Sequence, residues 1–287
     1  MPEVAYLNGE FMPIEEAFVP IEDRGLQFGD SLYEVARLYG GRPFRLKQHL
    51  QRMKQGAEVI GLDLERAGDL EKVVLGLAQR SQMDTAFVYL QVTRGVSPRN
   101  HVIPDDLQPT VIGTVREIVP MHQSMYDRGG RGFTTPDLRW ARRDIKATTL
   151  LPNIMSRTEA MGKGGFDAIH YEEDGTVTEG SVSSLFSVID GVIRTHPADH
   201  HVLPGISRAT VLECAQRLDL PYREEAFTLD EMFDASEVFF SDTYSEILPL
   251  RQVDGRTIGE GRPGPVAQKL LSAFRQVVQK ETGWSYS

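Results

Sequence analysis

Cysteine is almost absent from this sequence, and so are long apolar runs. Cys214 is the only cysteine in 287 residues, which excludes an intrachain disulfide and argues against a thiolate metal cage. No stretch approaches the ~20 apolar residues that span a bilayer. The N-terminal "MPEVAYLNGEF" has neither the basic start nor the apolar run of a signal peptide. These absences predict a reduced, cytoplasmic protein.

Basic charge is also scarce relative to acidic charge. The chain has 31 lysines and arginines against 41 acidic residues, which gives a net charge of -10. Because nucleic acid requires a basic protein surface, this balance argues against a nucleic-acid partner. A length of 287 residues suits one large domain or two medium ones, and either can bury a sizeable core.

Alternating side chains predict several strands. In "TAFVYLQVTRG", Phe87 and Tyr89 share one face, and Val88 and Leu90 share the other. The stretch "SLYEVARLYGG" alternates in the same way. Between "LFSVI" and "VIRTH", the Asp-Gly pair at 190–191 is a strong hairpin signal.

Apolar residues spaced by three and four positions predict three helices. The first stripe runs from Leu46 to Ile60, with Gly61 as its stop. A second stripe follows Gly205. The third lies near the C-terminus, around Phe274.

The stretch "REIVPMHQSMYDRGGRG" has a proline, a glycine pair and little periodicity, which is typical of a linker. It predicts a smaller N-terminal domain over residues 1–118, a linker over 119–132 and a larger domain over 133–287. Helices and strands alternate in the first part, and strands dominate the second. The predicted fold class is therefore α+β with two domains.

Lys146, in "RRDIKATTLLPN", poses the main functional question. A lone lysine is usually a solvated surface charge, so a chemical role depends on partners elsewhere in the chain. Six further stretches carry polar residues that a plain scaffold does not require. They are "RGLQFGDSLYEV", "HLQRM", "TRGVSPRNHVIP", "TVTEGSVSS", "LPGISRATV" and "FFSDTYSEI".

Taken singly, each candidate residue has a simpler structural explanation. Tyr33 could be a half-buried sheet tyrosine, Arg52 a helix surface charge and Glu179 a turn residue. Ser207 could merely N-cap the next helix, and the Arg99–His101 loop could be merely solvated. Only their combination favours a functional site.

Together these motifs resemble the fold-type IV pyridoxal-phosphate enzymes, and most closely the D-amino acid aminotransferases. "RGLQFGDSLYE", "DIKATTLL", "TVTEGSVSS" and "LPGISR" are similar to the superfamily motifs in order and approximate spacing. "RGVSPRNHVIP" is the most specific, because its Arg-x-His element resembles the D-amino acid branch. The resemblance implies a smaller N-terminal α/β layer domain, a larger C-terminal barrel-like α/β domain, and pyridoxal 5'-phosphate between them.

The resemblance also implies a role for each site residue. Lys146 would be the catalytic amine that holds the cofactor aldehyde as an internal aldimine and moves the α-proton. Glu179 would stabilise the protonated pyridine nitrogen. The remaining cofactor contacts would be Arg52, Ile206, Ser207 and Thr243 at the phosphate and Leu203 behind the ring.

Tyr33, Arg99 and His101 are similar to the family's trap for the substrate α-carboxylate. In relatives the Arg and His reach in from the partner subunit, so the resemblance implies a homodimer. Amino acids and 2-oxo acids are the implied small-molecule partners. No metal site is predicted.

Three residues depart from the family pattern. Asp242 stands where relatives usually place a serine or threonine near the phosphate. Because an anion there would repel phosphate, its carboxylate is expected to turn away. Ser184 replaces a frequent asparagine and Ser31 a frequent glycine, which affects the surroundings of the site and not the reaction.

The predicted activity is ping-pong transamination of D-amino acids, such as D-alanine and D-glutamate, with 2-oxo acids such as 2-oxoglutarate. The alternatives are a branched-chain L-amino acid aminotransferase, an (R)-amine transaminase, an aminodeoxychorismate lyase and an inactive cofactor-binding protein. A branched-chain enzyme would favour a less cationic pocket than "SPRNH" provides, and an amine transaminase would not need Arg99 with His101. Intact Lys146 and Glu179 argue against an inactive protein.

Overall fold

The computed structural model describes residues 3–286. Its helices are α1 (Arg24–Phe28), α2 (Leu46–Ile60), α3 (Leu70–Ser81), α4 (Gln123–Arg128), α5 (Leu151–Gly162), α6 (Ile206–Arg217), α7 (Leu229–Asp234) and α8 (Pro265–Thr282). The first eight strands are β1 (Val4–Leu7), β2 (Glu10–Pro13), β3 (Ser31–Tyr39), β4 (Arg42–Pro43), β5 (Thr85–Thr93), β6 (Thr110–Glu117), β7 (Gly130–Pro136) and β8 (Asp167–Tyr171). The others are β9 (Thr176–Gly180), β10 (Ser184–Ile189), β11 (Val192–Thr195), β12 (Tyr222–Glu224), β13 (Phe227–Thr228), β14 (Glu237–Asp242), β15 (Glu246–Val253) and β16 (Arg256–Thr257).

The chain divides into two compact units. Unit 1 comprises Met1–Val119, Ile145–Thr149 and Val278–Ser287. Unit 2 comprises Pro120–Asp144 and Leu150–Val277. The predicted α+β class with two parts is confirmed. No local pattern indicated that two short segments later in the chain return to unit 1.

The predicted linker over 119–132 is not free of secondary structure, because it contains α4 and the start of β7. In the sequence, Gly129 is typical of a linker, but in the structure it is needed for close packing. It has φ 76°, and a Cβ at this position would lie 3.2 Å from the backbone nitrogen of Arg251. The absence of a side chain lets the chain enter β7 directly beside β15.

Unit 1 is built on an antiparallel sheet with the strand order β2-β1-β6-β5-β3-β4. The pairing of β3 with β5 runs without interruption from Ser31 opposite Thr93 to Tyr39 opposite Thr85. As the alternation predicted, Val88 and Leu90 are buried, while Phe87 and Tyr89 are only half-buried. The buried face of the sheet packs with apolar residues of α2 and α3 in one core. Other positions of β3 remain available for site residues.

Unit 2 contains a ten-stranded sheet that curls into a half-barrel, in the order β12-β11-β10-β14-β15-β7-β8-β9-β13, with β16 paired to β15. The predicted hairpin at 190–191 joins β10 to β11, and Asp190 and Gly191 both have positive φ, as a two-residue hairpin turn requires. Among the predicted cofactor residues of this unit, Glu179 lies on β9, Ile206 and Ser207 begin α6, and Leu203 and Thr243 lie in connecting segments.

Within residues 3–286, every helix is too short or too polar to span a bilayer.

Candidate active site

Lys146 lies on a short segment that pairs with the edge of β3. The backbone N–H of Tyr33 donates to the carbonyl of Lys146 at 3.0 Å, and the N–H of Thr148 donates to that of Ser31 at 3.2 Å. This pairing places the lysine side chain over Tyr33. Its Nζ lies 3.4 Å from the phenol oxygen and 4.4 Å from the ring centroid. Lys146 is half-buried and held against a specific partner, so it is not a solvated surface charge.

Tyr33 is itself held from the side away from Lys146. Its ring stacks on that of Tyr89 with centroids 5.6 Å apart, and Tyr89 donates to Gln91 at 2.8 Å. Gln91 in turn donates to Ser31, the residue that replaces a family glycine, at 3.0 Å. Burial raises the pKa of Tyr89 to about 12, so this phenol keeps its proton. The stack therefore fixes the phenol that faces the lysine.

Arg52, the predicted phosphate ligand, lies buried on α2. Its guanidinium donates to both carboxylate oxygens of Glu34, at 2.7 and 2.6 Å. The Nδ1 atom of His49 also contacts that carboxylate, at 2.7 Å. Burial opposes the charge of Glu34, but Arg52 and His49 outweigh it and lower its pKa to about 2. Burial also lowers the pKa of His49, which favours the neutral ring.

The sequence analysis missed Glu34 and His49. Both leave a signal in the sequence, because Glu34 interrupts the apolar face of β3 between Leu32 and Ala36, and His49 lies three residues before Arg52 on α2. Together the carboxylate and imidazole fix the orientation of the guanidinium.

Arg99 and His101 lie on the loop after β5, against α1. The Arg99 guanidinium lies 4.6 Å from the Phe28 ring centroid, and the His101 ring lies 5.4 Å from it. Arg24 anchors the loop by donating to the carbonyl of Asn100 at 2.7 Å. Among residues 3–286, no hydrogen bond or ring contact joins Arg99 or His101 to Tyr33 or Lys146.

In unit 2, Glu179 is buried near the end of β9. One carboxylate oxygen accepts from Arg139 at 2.6 Å, and the other accepts from the backbone N–H of Leu203 at 3.1 Å. Burial raises the pKa of Glu179, and Arg139 opposes that shift. Glu179 is therefore a fixed buried carboxyl group and not a turn residue.

Arg139 is held by a second acid that the sequence analysis missed. Asp137 accepts from its guanidinium at 2.9 and 2.7 Å and from the hydroxyl of Thr178 at 2.8 Å. Burial opposes the charge of Asp137, but Arg139 outweighs it and lowers its pKa to about 2. The short "DLRW" spacing was the only local signal, and it does not reveal that the pair faces Glu179.

The segment from Leu203 leads into α6, which begins at Ile206. Its N-cap is Gly205, and no side chain among the described residues caps the helix. Ser207 lies inside the first turn, so the simpler reading of it as the N-cap is wrong. The first N–H groups of this helix can bind an anion. A Cβ on Gly205 would lie 2.7 Å from Oγ of Ser184, so only glycine fits closely above that residue.

Thr243 lies half-buried in the turn between β14 and β15. Its neighbour Asp242 accepts from the backbone N–H groups of Tyr244 at 2.6 Å and Ser245 at 2.7 Å. Burial raises the pKa of Asp242 despite these bonds. The carboxylate thus closes its own turn, and its orientation away from a phosphate stays a prediction.

The chain is similar to several known aminotransferases. The family model described as amino-transferase class IV matches residues 31–253. The D-alanine aminotransferase of Staphylococcus aureus (strain N315) is 36% identical over 282 residues, which cover 98% of this chain and 99% of that protein. The D-alanine aminotransferase of Listeria monocytogenes (strain 10403S) is 38% identical and covers 96% of each.

Solved structures agree with this result. The branched-chain amino acid aminotransferase of Escherichia coli superposes with a TM-score of 0.88 at 26% identity, over 98% of this chain and 96% of that one. Another enzyme of this name, solved with pyridoxamine 5'-phosphate, gives the same TM-score of 0.88 over 99% of this chain. The chain belongs to the amino-transferase class IV family.

Proposed function

We propose that this chain is a pyridoxal 5'-phosphate-dependent aminotransferase that moves the amino group of D-amino acids, such as D-alanine and D-glutamate, to 2-oxo acids such as 2-oxoglutarate. The relatives named D-alanine aminotransferases support the substrate class, since they match nearly the whole chain. The structural observation that carries the proposal is the position of the Lys146 Nζ atom, 3.4 Å from the Tyr33 hydroxyl.

In each of the two units, considered separately, the predicted site residues have the chemistry that pyridoxal phosphate requires. Lys146 is a half-buried amine with a fixed phenol beside it. Glu179 is a buried carboxyl group with both oxygens directed by other groups. The start of α6 has no side-chain cap among the described residues, so its first N–H groups can bind an anion. When bound, pyridoxal phosphate supplies an aldehyde and a ring that withdraws electrons from the substrate α-carbon.

Lys146 and Glu179 have separate tasks in this proposal. The Lys146 amine would hold the cofactor through its aldehyde and, once freed by substrate, would carry the substrate α-proton away from the α-carbon. Glu179 would stabilise positive charge on the pyridine nitrogen, and Arg139 would keep its carboxylate oriented for that contact. We propose that both act on one cofactor molecule.

The phosphate would be held by the N–H groups of Ile206 and Ser207, the hydroxyl of Thr243 and the charge of Arg52. Glu34 fixes the Arg52 guanidinium through two hydrogen bonds, which reduces the entropy lost when an anion binds. Leu203 would lie behind the ring. Its backbone N–H donates to Glu179, which holds the residue beside that carboxyl group.

Tyr33, Arg99 and His101 would bind the substrate α-carboxylate. Arg99 and His101 contact the Phe28 ring, and within residues 3–286 no hydrogen bond or ring contact joins them to Tyr33, which is the arrangement expected if they serve the site of a partner subunit. We therefore propose a homodimer. In unit 2 the apolar side chains of Leu151, Ile154 and Met155 share one face of α5 and are exposed, which suits burial against a second copy.

We also propose that the protein acts in the cytoplasm, where the thiol of the buried Cys214 stays reduced.

The second candidate is a branched-chain L-amino acid aminotransferase, which the solved structures of that name favour. Enantiomer analysis separates the two. The purified protein is incubated with 2-oxoglutarate and either D- or L-alanine, and the glutamate formed is resolved. We expect D-glutamate from D-alanine and little turnover of L-alanine. Preferential turnover of an L-amino acid would overturn the D-amino acid assignment.

The position of the cofactor is tested separately. Borohydride reduction followed by mass spectrometry should find a pyridoxyl group on Lys146 alone. Lys146→Ala should lower turnover by at least ~100-fold, because it removes the proton carrier. Lys163→Ala is the matched control, since Lys163 is an exposed lysine that pairs with Glu159 and lies over the Phe133 ring. An adduct on any other lysine would contradict the assignment.

A further inference from the structure

The loop between β11 and α6 carries three histidines and an aspartate that the proposed reaction does not use. Within residues 3–286, His196, Asp199 and His201 form a group whose potential ligand atoms all lie within 4.8 Å of one another. All three belong to unit 2. The sequence analysis predicted no metal site.

The distances in this group match those of a small cation site. Nδ1 of His201 lies 3.1 Å from Oδ1 of Asp199, and Nδ1 of His196 lies 3.8 Å from the same oxygen. Two ligand atoms on a tetrahedral Zn²⁺ ion, each at 2.0–2.1 Å, are about 3.3 Å apart. Small rotations of the two rings therefore suffice to bring three ligand atoms to one ion.

The backbone of the loop is already fixed in this shape. Oδ1 of Asp199 accepts from the backbone N–H of His201 at 2.8 Å, and the N–H of Asp199 donates to the carbonyl of Pro197 at 2.9 Å. The carbonyl of His196 accepts from the buried Arg208 at 2.7 Å. Because the ligands are held in advance, an ion loses little of its binding free energy to ordering the loop.

Charge and access also suit a cation. Burial opposes the charge of Asp199, but the N–H and ring of His201 and the ring of His196 outweigh it and lower its pKa. Asp144 lies near enough to His200 to interact with it electrostatically, and Asp174 lies near enough to His201. His196 is buried, whereas Asp199 and His201 are partly exposed, so an ion can enter and water can complete its coordination.

We propose that His196, Asp199 and His201 bind one divalent transition-metal ion of the Zn²⁺ class. Two imidazoles and one carboxylate are ligands that this class prefers, with an open position left for water. Nδ1 of His196 lies 3.0 Å from the Pro197 carbonyl and that of His201 lies beside Asp199, so each Nδ1 proton moves to Nε2 of the same ring when that Nδ1 binds the ion. The loop continues to Leu203, whose N–H contacts Glu179, so a bound ion would stiffen the segment that holds that carboxyl group.

The test measures metal binding without turnover. The full-length holoenzyme, free of added amino acid, is dialysed to equilibrium against low-micromolar Zn²⁺, and bound zinc per chain is determined. Asp199→Asn keeps an oxygen that can accept from the His201 N–H, so the loop keeps its shape while the charged ligand is lost. We expect Asp199→Asn and His201→Gln each to bind one fewer zinc per chain, with at least a ~100-fold loss of affinity at this site.

His200→Asn is the matched control, because the His200 ring packs on His201 at 3.9 Å but lies outside the ligand group. It should bind zinc as the parent does, and circular dichroism should show all four proteins folded alike. A parent that binds no zinc, or variants that all bind like the parent, would overturn the site. Loss in His200→Asn equal to that in His201→Gln would do so too. None of these results depends on the proposed aminotransferase activity.

Discussion

At the scale of single residues, the buried Glu34–His49–Arg52 cluster links the stability of unit 1 to pH. The folded-state pKa of Glu34 is about 2, against 4.5 for the free side chain. A depressed carboxyl pKa gives stability that is present above pH 4.5 and is lost as the pH falls through about 2. A shift of this size corresponds to about 3 kcal/mol. The lowered pKa of His49 acts in the same direction, starting below its ordinary value of 6.5.

We therefore predict that Glu34→Gln shifts the urea unfolding midpoint most at neutral pH and least near pH 2.5. At pH 7 the variant loses the anion that Arg52 contacts, and removing one partner of a buried ion pair typically costs about 3–5 kcal/mol. Near pH 2.5 the parent has lost most of the same contribution. Glu58→Gln on the exposed side of α2 is the control. A Glu34→Gln defect of the same size at both pH values would refute the linkage.

Single residues also mark what local sequence could reveal about the site. Lys146 and Glu179 were identified by motif resemblance, and the structure gives both fixed polar neighbours. Glu34, Asp137 and Arg139 were not identified. Their partners are distant in the chain, as in the contact of Arg139 with Glu179, 40 residues away. Glu34 and the Asp137–Arg139 pair each leave a local signal, but local sequence does not reveal which distant group they contact, because those contacts form only when the sheets assemble.

At the scale of elements, the junction between the loop and α6 depends on Gly205. We predict that Gly205→Ala weakens both folding and phosphate binding. Its φ of -63° accepts alanine, so the effect comes from crowding. A Cβ would lie 2.7 Å from the Ser184 Oγ and 3.2 Å from the Arg208 Cβ. Such overpacking typically costs about 1–3 kcal/mol. The measurements are the urea midpoint of the apoprotein and the affinity for pyridoxal phosphate.

The crowding can be relieved by a second substitution. Adding Ser184→Ala removes the oxygen that the new methyl group meets, so the double variant should recover most of the lost stability. Gly162→Ala is the control, since a Cβ there would meet no atom within 4 Å. If Ser184→Ala gives no recovery, the steric explanation is wrong.

Several elements with a buried stripe or clean alternation were predicted well, although helix α3, which also has a buried stripe, was not identified. Helix α2 begins and ends as the pattern indicated, and Gly61 closes it with φ 62°. Strands β3 and β5 also lie within their predicted ranges. Helix α5 was not identified either, and its apolar residues Ile154 and Met155 are exposed. Tertiary packing, which local sequence does not contain, decides such cases.

At the scale of the whole molecule, domain boundaries were the least predictable feature. The first long stretch of unit 1 ends at Val119, beside the predicted boundary at 118, and Ile145–Thr149 returns to unit 1 without any signal in the sequence analysis. That segment is five residues long and has no periodicity of its own. It belongs to unit 1 because its backbone pairs with β3. The interacting residues Lys146 and Tyr33 are separated by 113 positions in the sequence.

The last prediction concerns the proposed homodimer. If Arg99 serves the site of the partner subunit, then Lys146→Ala damages the site of its own subunit, whereas Arg99→Ala damages the site of the partner. In a hybrid dimer of the two, one site keeps both residues and the other loses both. Equal mixing makes half of the dimers hybrids, so we expect about a quarter of the parent activity. The measurement is D-alanine turnover after subunit exchange, which two affinity tags verify.

The matched control mixes Lys146→Ala with Glu179→Gln. Because both residues are proposed to serve the site of their own subunit, every site in that hybrid lacks one of them and no activity should return. Recovery in the first mixture and none in the second supports a site completed by the partner's arginine. With exchange verified, no recovery in the first mixture would place Arg99 in the same site as the Lys146 of its own chain. The loop that carries Arg99 would then have to move from its position on Phe28, where the guanidinium lies 4.6 Å from the ring, to reach Tyr33.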